Sequence, residues 1–255
     1  MTSRTLKELF NVEPAQKEVD AFVDAAAAGN NAAIGQFLKK YGPEAVDKRG
    51  SLGWIALMYA AQNGHKETAE VLLEAGANPD EKNSYGMTAL MWAAVVGCAD
   101  IAALLLEKGA DAGLKDNADK TGLMFAASNG HLDVVRLLLQ KNADIEEKDK
   151  CNFTALLLAA RGGHADVVEL LLENGADINA RSDGGYSAEM HAFQGGHDKV
   201  TTLLEGWPQV LAGRAARQKK QELDEELQGF SRGLEKPIQA HPPLKFTPKR
   251  KGPAA

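Results

Sequence analysis

The stretch GMTALMWAAVVGCADIAALLLEKGAD, residues 86–111, has related copies on both sides of it at one fixed distance. A glycine turn marks the period of 33 residues, at Gly64-His65, Gly97-Cys98, Gly130-His131, Gly163-His164 and Gly196-His197. A leucine recurs in the same register, at Leu72, Leu105, Leu138, Leu171 and Leu204. Markers that stay in step over five copies indicate an internal structural repeat.

The residue types inside each copy predict where its helices begin and end. One turn position holds only residues that tolerate a left-handed backbone, namely Gly53, Gly86, Asp119, Asn152 and Gly185. The residue after each leucine block suits a left-handed helix cap, at Gly76, Gly109, Asn142 and Gly175. A hydroxyl stands where each first helix starts, at Thr88, Thr121, Thr154 and Ser187. We therefore predict two short helices per copy, Thr88 to Val96 and Ala99 to Lys108 in the quoted one, followed by a polar hairpin-like loop.

On these residues, the chain resembles the ankyrin repeat family, most closely in GMTALMWAAVVGCADIAALLLEKGADA and NFTALLLAARGGHADVVELLLENGADINA. The resemblance covers about residues 20–205, and it implies an all-α solenoid in which no unit buries its leucine face alone. Ala89 and Met91 depart from the family pattern, which usually has Pro and His there. The resemblance also implies a module that binds other proteins through a concave face lined by the loops and the first helices.

The repeat register predicts the domain boundaries. An N-terminal extension (1–19) precedes a capping repeat (20–50), four full repeats (51–83, 84–116, 117–149 and 150–182) and a C-terminal capping repeat (183–207). Trp207 and Pro208 end the period, and the good helix formers of residues 208–230 predict a helix that covers the last repeat. Residues 231–255 are rich in proline and basic residues, which predicts a disordered tail.

The sequence contains no arrangement of residues that is typical of an enzyme. The turn histidines stand at one position of successive repeats, about 10 Å apart, so one zinc ion cannot join them and we expect them to bond to backbone instead. Cys98 and Cys151 are expected to be reduced thiols without a catalytic role. We therefore expect no enzymatic activity, no metal and no cofactor.

A large side chain precedes the start of most first helices, where the packing of the repeat does not require one. These ladder positions are Trp54, Met87, Lys120, Phe153 and Tyr186. We expect them to face outward, with Val95 and Val96 beside them, and to bind a partner protein or peptide. A ring at this position is also common in such repeats, so plain family habit remains an alternative. Behind the ladder, Tyr59, Trp92 and Phe125 form either core or the floor of a groove.

The charge of the chain is unevenly distributed around its net value of −6. Residues 1–205 have 19 basic and 30 acidic residues, whereas residues 206–255 have ten basic and five acidic ones. An acidic body disfavours nucleic acid on its surface. The basic residues Lys245, Lys249, Arg250 and Lys251 suit a polyanion contact, a nuclear targeting signal or merely solubility.

Taken together, these features predict a monomeric scaffold or adaptor protein that binds one partner. One alternative is an inhibitor or immunity-type protein that blocks a partner enzyme through the same face. Another is a nucleus-associated regulator that uses the basic tail, with nucleic acid as its partner. No apolar run is long enough to cross a bilayer, so we expect no membrane contact and a cytoplasmic location, or a nuclear one in a eukaryotic host.

Overall fold

The computed structural model describes residues 13–234, and the chain divides into two compact units, residues 1–206 and 207–255. Helices are the regular elements of the described residues, which contain no β-strand beyond an isolated bridge between Arg181 and Ser187. None of the described helices is both long and apolar enough to cross a membrane. The predicted all-α repeat architecture is confirmed.

The helices alternate between a first and a second helix of each repeat. The N-terminal pair is α1 (Gln16–Ala27) and α2 (Asn31–Tyr41), followed by a short 3-10 helix (Pro43–Ala45). The full repeats contain α3 (Ala56–Gln62) and α4 (Lys66–Glu74), α5 (Ala89–Val96) and α6 (Ala99–Glu107), α7 (Gly122–Ser128) and α8 (Leu132–Gln140), and α9 (Ala155–Gly162) and α10 (Ala165–Glu173). The last helices are α11 (Ala188–Gln194) and α12 (Asp198–Leu234).

Local side-chain chemistry starts and ends these helices as predicted. The hydroxyls of Thr88, Thr121, Thr154 and Ser187 accept a hydrogen bond from the backbone N–H three residues later, at 3.3–3.4 Å. Ile55 stands at the same place before α3 and offers no such cap. Asp119, Asn142 and Asn152 have positive φ angles of 61°, 59° and 57°, as the predicted left-handed turns require.

Small and aliphatic side chains form the core of residues 1–206. From α1 to α9, each first helix packs against its own second helix and against the first helix of the next repeat. The alanine positions that allow this close approach are fully buried, at Ala60, Ala93, Ala126 and Ala159. The leucines of the second helices are also fully buried, at Leu72, Leu105, Leu138 and Leu171. No repeat could bury these residues by itself, so the stack depends on contacts between neighbours.

The loops between repeats are closed by hydrogen bonds and linked to one another. Within one loop, the backbone N–H of Asn83 donates to the carbonyl of Met87 at 3.0 Å. Between loops, the N–H of Asn117 donates to the carbonyl of Tyr85 at 2.9 Å, and that of Lys150 to Ala118 at 3.1 Å. These bonds close each loop and link its tip to the tip of the neighbouring loop.

The C-terminal part differs from its prediction in one respect. Helix α12 runs without interruption from Asp198 to Leu234 with Pro208 inside it, so the helix predicted over residues 208–230 is present but begins earlier and ends later. Proline removes one backbone hydrogen bond, and the good helix formers around it continue the helix. Residues 231–234 are therefore helical, although the predicted disordered tail begins at 231. The basic residues at 245 and 249–251 lie outside the described residues.

Candidate functional site

The side chains before and within the first helices form two columns that follow the repeat. The outer column is the predicted ladder, Trp54, Met87, Lys120, Phe153 and Tyr186. The inner column lies five residues later in each copy, at Tyr59, Trp92, Phe125, Leu158 and His191. We call these two columns together the first-helix face.

Three aromatic rings contact one another at the N-terminal end of the first-helix face. The ring centroid of Trp54 lies 4.9 Å from that of Tyr59 and 4.5 Å from that of Trp92, which belongs to the next repeat. All three side chains are half-buried. Trp54 was predicted to face outward. It is only partly exposed, and it is not part of the buried core. The Trp92 Nε1 atom is buried and has no hydrogen-bond partner among residues 13–234.

A second aromatic group lies at the C-terminal end of the face. The His191 ring lies 5.0 Å from the half-buried Phe153 ring and 5.6 Å from the Tyr186 ring, which is 40% exposed. His191 Nε2 lies 3.2 Å from the Ser182 hydroxyl. The Arg161 guanidinium lies over Phe153 at 5.3 Å. Burial, and then the charge of Arg161, lower the pKa of His191 below its usual range.

The centre of the face corrects one prediction. Met87 is buried, with 8% of its surface exposed, so the expectation that it faces outward is wrong. Its flexible, apolar side chain packs against the neighbouring repeats, and this burial removes apolar surface from water. Lys120 is half-buried with its ammonium 5.9 Å from the Phe125 ring, while Val95 is half-buried and Val96 is 38% exposed.

Two exposed apolar residues at the loop tips were not predicted. Leu52 is 74% exposed and Tyr85 is 64% exposed, each one residue before a turn glycine. The same position holds Ala118, Cys151 and Gly184 in the other copies. A large apolar residue at a turn position that elsewhere holds small ones was the available signal. The tips of the first two loops therefore extend the first-helix face.

Side-chain oxygens hold the loops against the face. The Asn83 Oδ1 atom accepts hydrogen bonds from the N–H groups of Tyr85 and Met87, at 2.9 and 3.0 Å. Asp116 and Asp149 accept the corresponding pairs in the next two loops. Gly50 occupies this position in the first loop and has no side-chain oxygen. Asp20 of α1 binds a different residue of that loop, accepting from the N–H and the hydroxyl of Ser51, both at 2.7 Å.

The turn histidines contact the backbone of the preceding repeat. The Nε2 atoms of His131, His164 and His197 lie 3.0–3.1 Å from backbone carbonyls of the preceding repeat, 36 residues earlier. Across residues 13–234, no cluster of three or more His, Cys, Asp or Glu side chains could hold a metal ion. Cys98 and Cys151 are free thiols, and burial raises the pKa of Cys98.

Comparison with known proteins supports the repeat assignment. The family model for ankyrin repeats in three copies matches residues 22–116 and 123–209. Similar segments occur in the NAD-capped RNA hydrolase NUDT12 of Macaca fascicularis and of Pongo abelii, each 40% identical over 65 residues, which are 26% of this chain and 14% of the relative. The Homo sapiens protein of that name is 40% identical over 63 residues, 25% of this chain and 13% of the relative. The match thus spans about a seventh of each relative's length.

Proposed function

We propose a function from one premise: this chain belongs to the ankyrin repeat family, whose model covers most of it. Repeats of this family are protein-interaction modules and are generally not catalytic. We propose that the first-helix face and the tips of the first two loops bind a partner protein or peptide. The chain then acts as a scaffold or adaptor.

The placement of the aromatic rings supports this proposal most directly. The core between repeats consists of alanine, leucine, valine, isoleucine and methionine side chains and is buried without any ring of the outer column. Trp54, Phe153 and Tyr186 nevertheless leave part of their surface in water. Partly exposed aromatic side chains are typical anchors of protein interfaces, and truncating such an anchor commonly costs about 1–4 kcal/mol of binding free energy.

The contacts between rings also favour binding because they fix the rings in advance. Trp54 is held by Tyr59 of its own repeat and Trp92 of the next, and Phe153 by His191 of the next. A side chain that is already ordered loses little conformational entropy when a partner covers it. Such a face offers its anchors at low entropic cost.

The loop tips provide the cleanest test. Leu52→Ser with Tyr85→Ser removes two exposed apolar side chains, so binding should fall while folding stability stays nearly unchanged. The matched control is Arg136→Ser with Glu169→Ser, two exposed positions on the second helices α8 and α10. Partners captured by the wild-type chain are identified by mass spectrometry, and their affinities are measured with each purified variant.

We expect the loop-tip variant to bind the captured partner at least about tenfold more weakly, a loss of about 1.4 kcal/mol, and the control to bind as the wild type does. Equal affinity for both variants would contradict the proposed face. Should the partner be an enzyme, its activity in the complex separates the two roles. Retained activity supports a scaffold, and stoichiometric loss of activity supports an inhibitor.

A further inference from the structure

A small pocket lies between α1, the first loop and the start of α3. It has a volume of about 130 Å³ and is lined by Asp20, Val23, Asp24, Gly50, Ser51, Leu52, Trp54 and Tyr59. Pockets for whole small molecules usually measure about 300–1,000 Å³. This one has room for the end of a single side chain.

The first loop differs from the others in a way that opens this side of the face. Gly50 stands where the other loops place Asn83, Asp116 and Asp149, so this loop has no side chain of its own at that position. Asp20 of α1 accepts hydrogen bonds from the next residue of this loop, through the N–H and the hydroxyl of Ser51. The glycine thus leaves space, and the helix supplies a carboxylate beside it.

The charge of Asp20 is not neutralised by the bonds that hold it. Its donors are the N–H and hydroxyl of Ser51 and the side-chain amide of Gln16, at 2.7, 2.7 and 3.1 Å, and all of them are neutral. These bonds, with that of the Ser51 hydroxyl the largest contribution, lower the pKa of Asp20. The carboxylate is therefore ionised and fixed in place.

Asp24 lies one helical turn further along α1 and is free to bind. Its side chain is exposed, and within residues 13–234 no ion pair or side-chain hydrogen bond engages it. The pKa of Tyr59 is raised, mainly by burial and then by the negative charges of Asp24 and Asp20. Both carboxylates therefore act on the aromatic wall of the pocket.

Two aromatic rings also line the pocket. Tyr59 and Trp54 line it with their rings 4.9 Å apart, and Trp92 supports Trp54 from the next repeat. A cation is attracted to the face of such rings, and carboxylates nearby strengthen its binding through charge-assisted hydrogen bonds. A neutral or acidic side chain gains neither interaction.

We propose that this pocket receives the cationic end of a lysine or arginine side chain of the partner, held between the Asp24 and Asp20 carboxylates and the rings of Tyr59 and Trp54. The inference rests on the proposed partner-binding function and specifies the chemistry of the partner. The partner accordingly presents a basic residue next to the apolar groups that contact Leu52.

The test uses a minimal probe and its neutral counterpart on the full chain. N-acetyl-arginine N-methylamide is titrated into protein labelled with 15N at tryptophan, and the citrulline analogue of the same shape serves as the uncharged probe. The readout is the chemical shift of the Trp54 indole N–H, assigned with the variant Trp54→Phe. Asp24→Asn removes the free carboxylate, and Asp133→Asn on the exposed side of α8 is the matched control.

We expect saturable shifts with the arginine probe, at least threefold weaker binding of that probe by Asp24→Asn, and unchanged binding by Asp133→Asn. Equal response to the citrulline probe, or unchanged affinity of Asp24→Asn for the arginine probe, would overturn the proposal.

The experiments distinguish failure of this proposal from failure of the proposed partner-binding face. Loss of partner capture in the loop-tip variant without any response to the arginine probe rejects the cation pocket alone. If the arginine probe binds specifically but the loop-tip variant still binds the partner as the wild type does, the pocket is supported and the proposed face is contradicted.

Discussion

Cys98 occupies the turn position that histidine holds in the other copies of the repeat. Each of those histidines reaches a backbone carbonyl of the preceding repeat. His131, His164 and His197 each reach the carbonyl 36 residues earlier, so the corresponding carbonyl for residue 98 is that of Gln62. A thiol is too short and too weak a donor to replace the imidazole. The repeats at residues 51–83 and 84–116 therefore lack a hydrogen bond that joins the other pairs of adjacent repeats.

Restoring this bond should stabilise the stack. Cys98→His is expected to raise the free energy of unfolding by about 1 kcal/mol, the net contribution of one hydrogen bond. Space for the ring exists because Gly64 lies opposite Cys98 as Gly97 lies opposite His131. Urea denaturation followed by circular dichroism measures the change. His131→Cys is the reciprocal variant and should lose a similar amount, and a destabilised Cys98→His would refute the explanation.

His191 makes the last repeat sensitive to acid. Its folded pKa is lowered by burial and by Arg161, whereas in the unfolded chain it is about 6.5. The neutral form is therefore favoured in the fold, so its contribution is complete above pH 6.5 and is lost as the pH falls through the unfolded value towards the folded one. Between pH 7.5 and 5, the wild type should lose more stability than His191→Gln. Parallel pH profiles of the two proteins would contradict this.

Most first helices begin at a side-chain cap that lies within their own repeat. Thr154 is 1% exposed, and its hydroxyl accepts from the Leu157 N–H at the start of α9. The same arrangement precedes α5 and α7, whereas α3 begins after Ile55 without it. Since α3 is still formed, packing between repeats compensates for a missing cap.

Removing a cap should lower the stability moderately, and restoring a hydroxyl should recover it. Thr154→Ala is expected to lower the free energy of unfolding by about 1 kcal/mol, because one backbone N–H at the start of α9 loses its acceptor. Thr154→Ser keeps the hydroxyl and should recover most of that loss. Urea denaturation of the three proteins measures both values. Equal stability of the alanine and serine variants would show that the methyl group, and not the hydroxyl, matters here.

Adjacent repeats stabilise one another. The main helix contacts of each first helix are with its own second helix and with the first helices of the adjacent repeats. A defect in a middle repeat should therefore weaken both of its interfaces. Leu138 of α8 is fully buried in such a repeat, while Leu139 on the same helix is half-buried. The two leucines form a matched pair.

Leu138→Ala is expected to cost about 2–5 kcal/mol of unfolding free energy, since it leaves a cavity at the centre of the stack. Leu139→Ala should cost less than half as much. Hydrogen exchange should show faster opening of α7 and α8 and of the helices next to them in the Leu138 variant. Similar losses for both leucines would mean that the stack does not distribute its stability in this way.

Much of the architecture was readable from the sequence because its determinants repeat and act locally. The left-handed turns at Asp119 and Asn152 and the hydroxyl caps are properties of a few consecutive residues, and each recurs every 33 residues. The helix predicted over residues 208–230 begins earlier, at Asp198, because the local cost of Pro208 does not outweigh the helix formers around it. The domain boundaries and the binding role of the ladder residues remain predictions.

The exposure of the candidate site followed from contacts between repeats, which no local pattern contains. The sequence placed the ladder residues in one register, but it could not show that Met87 turns inward or that Trp54 contacts Trp92, 38 residues later. Nor could it show that Asp20 of α1 serves the first loop where Gly50 leaves space. Periodicity thus specified the helices and their order. Which side chains meet water, and which meet one another, depended on how adjacent repeats pack, because burial is shared between residues that are distant along the chain.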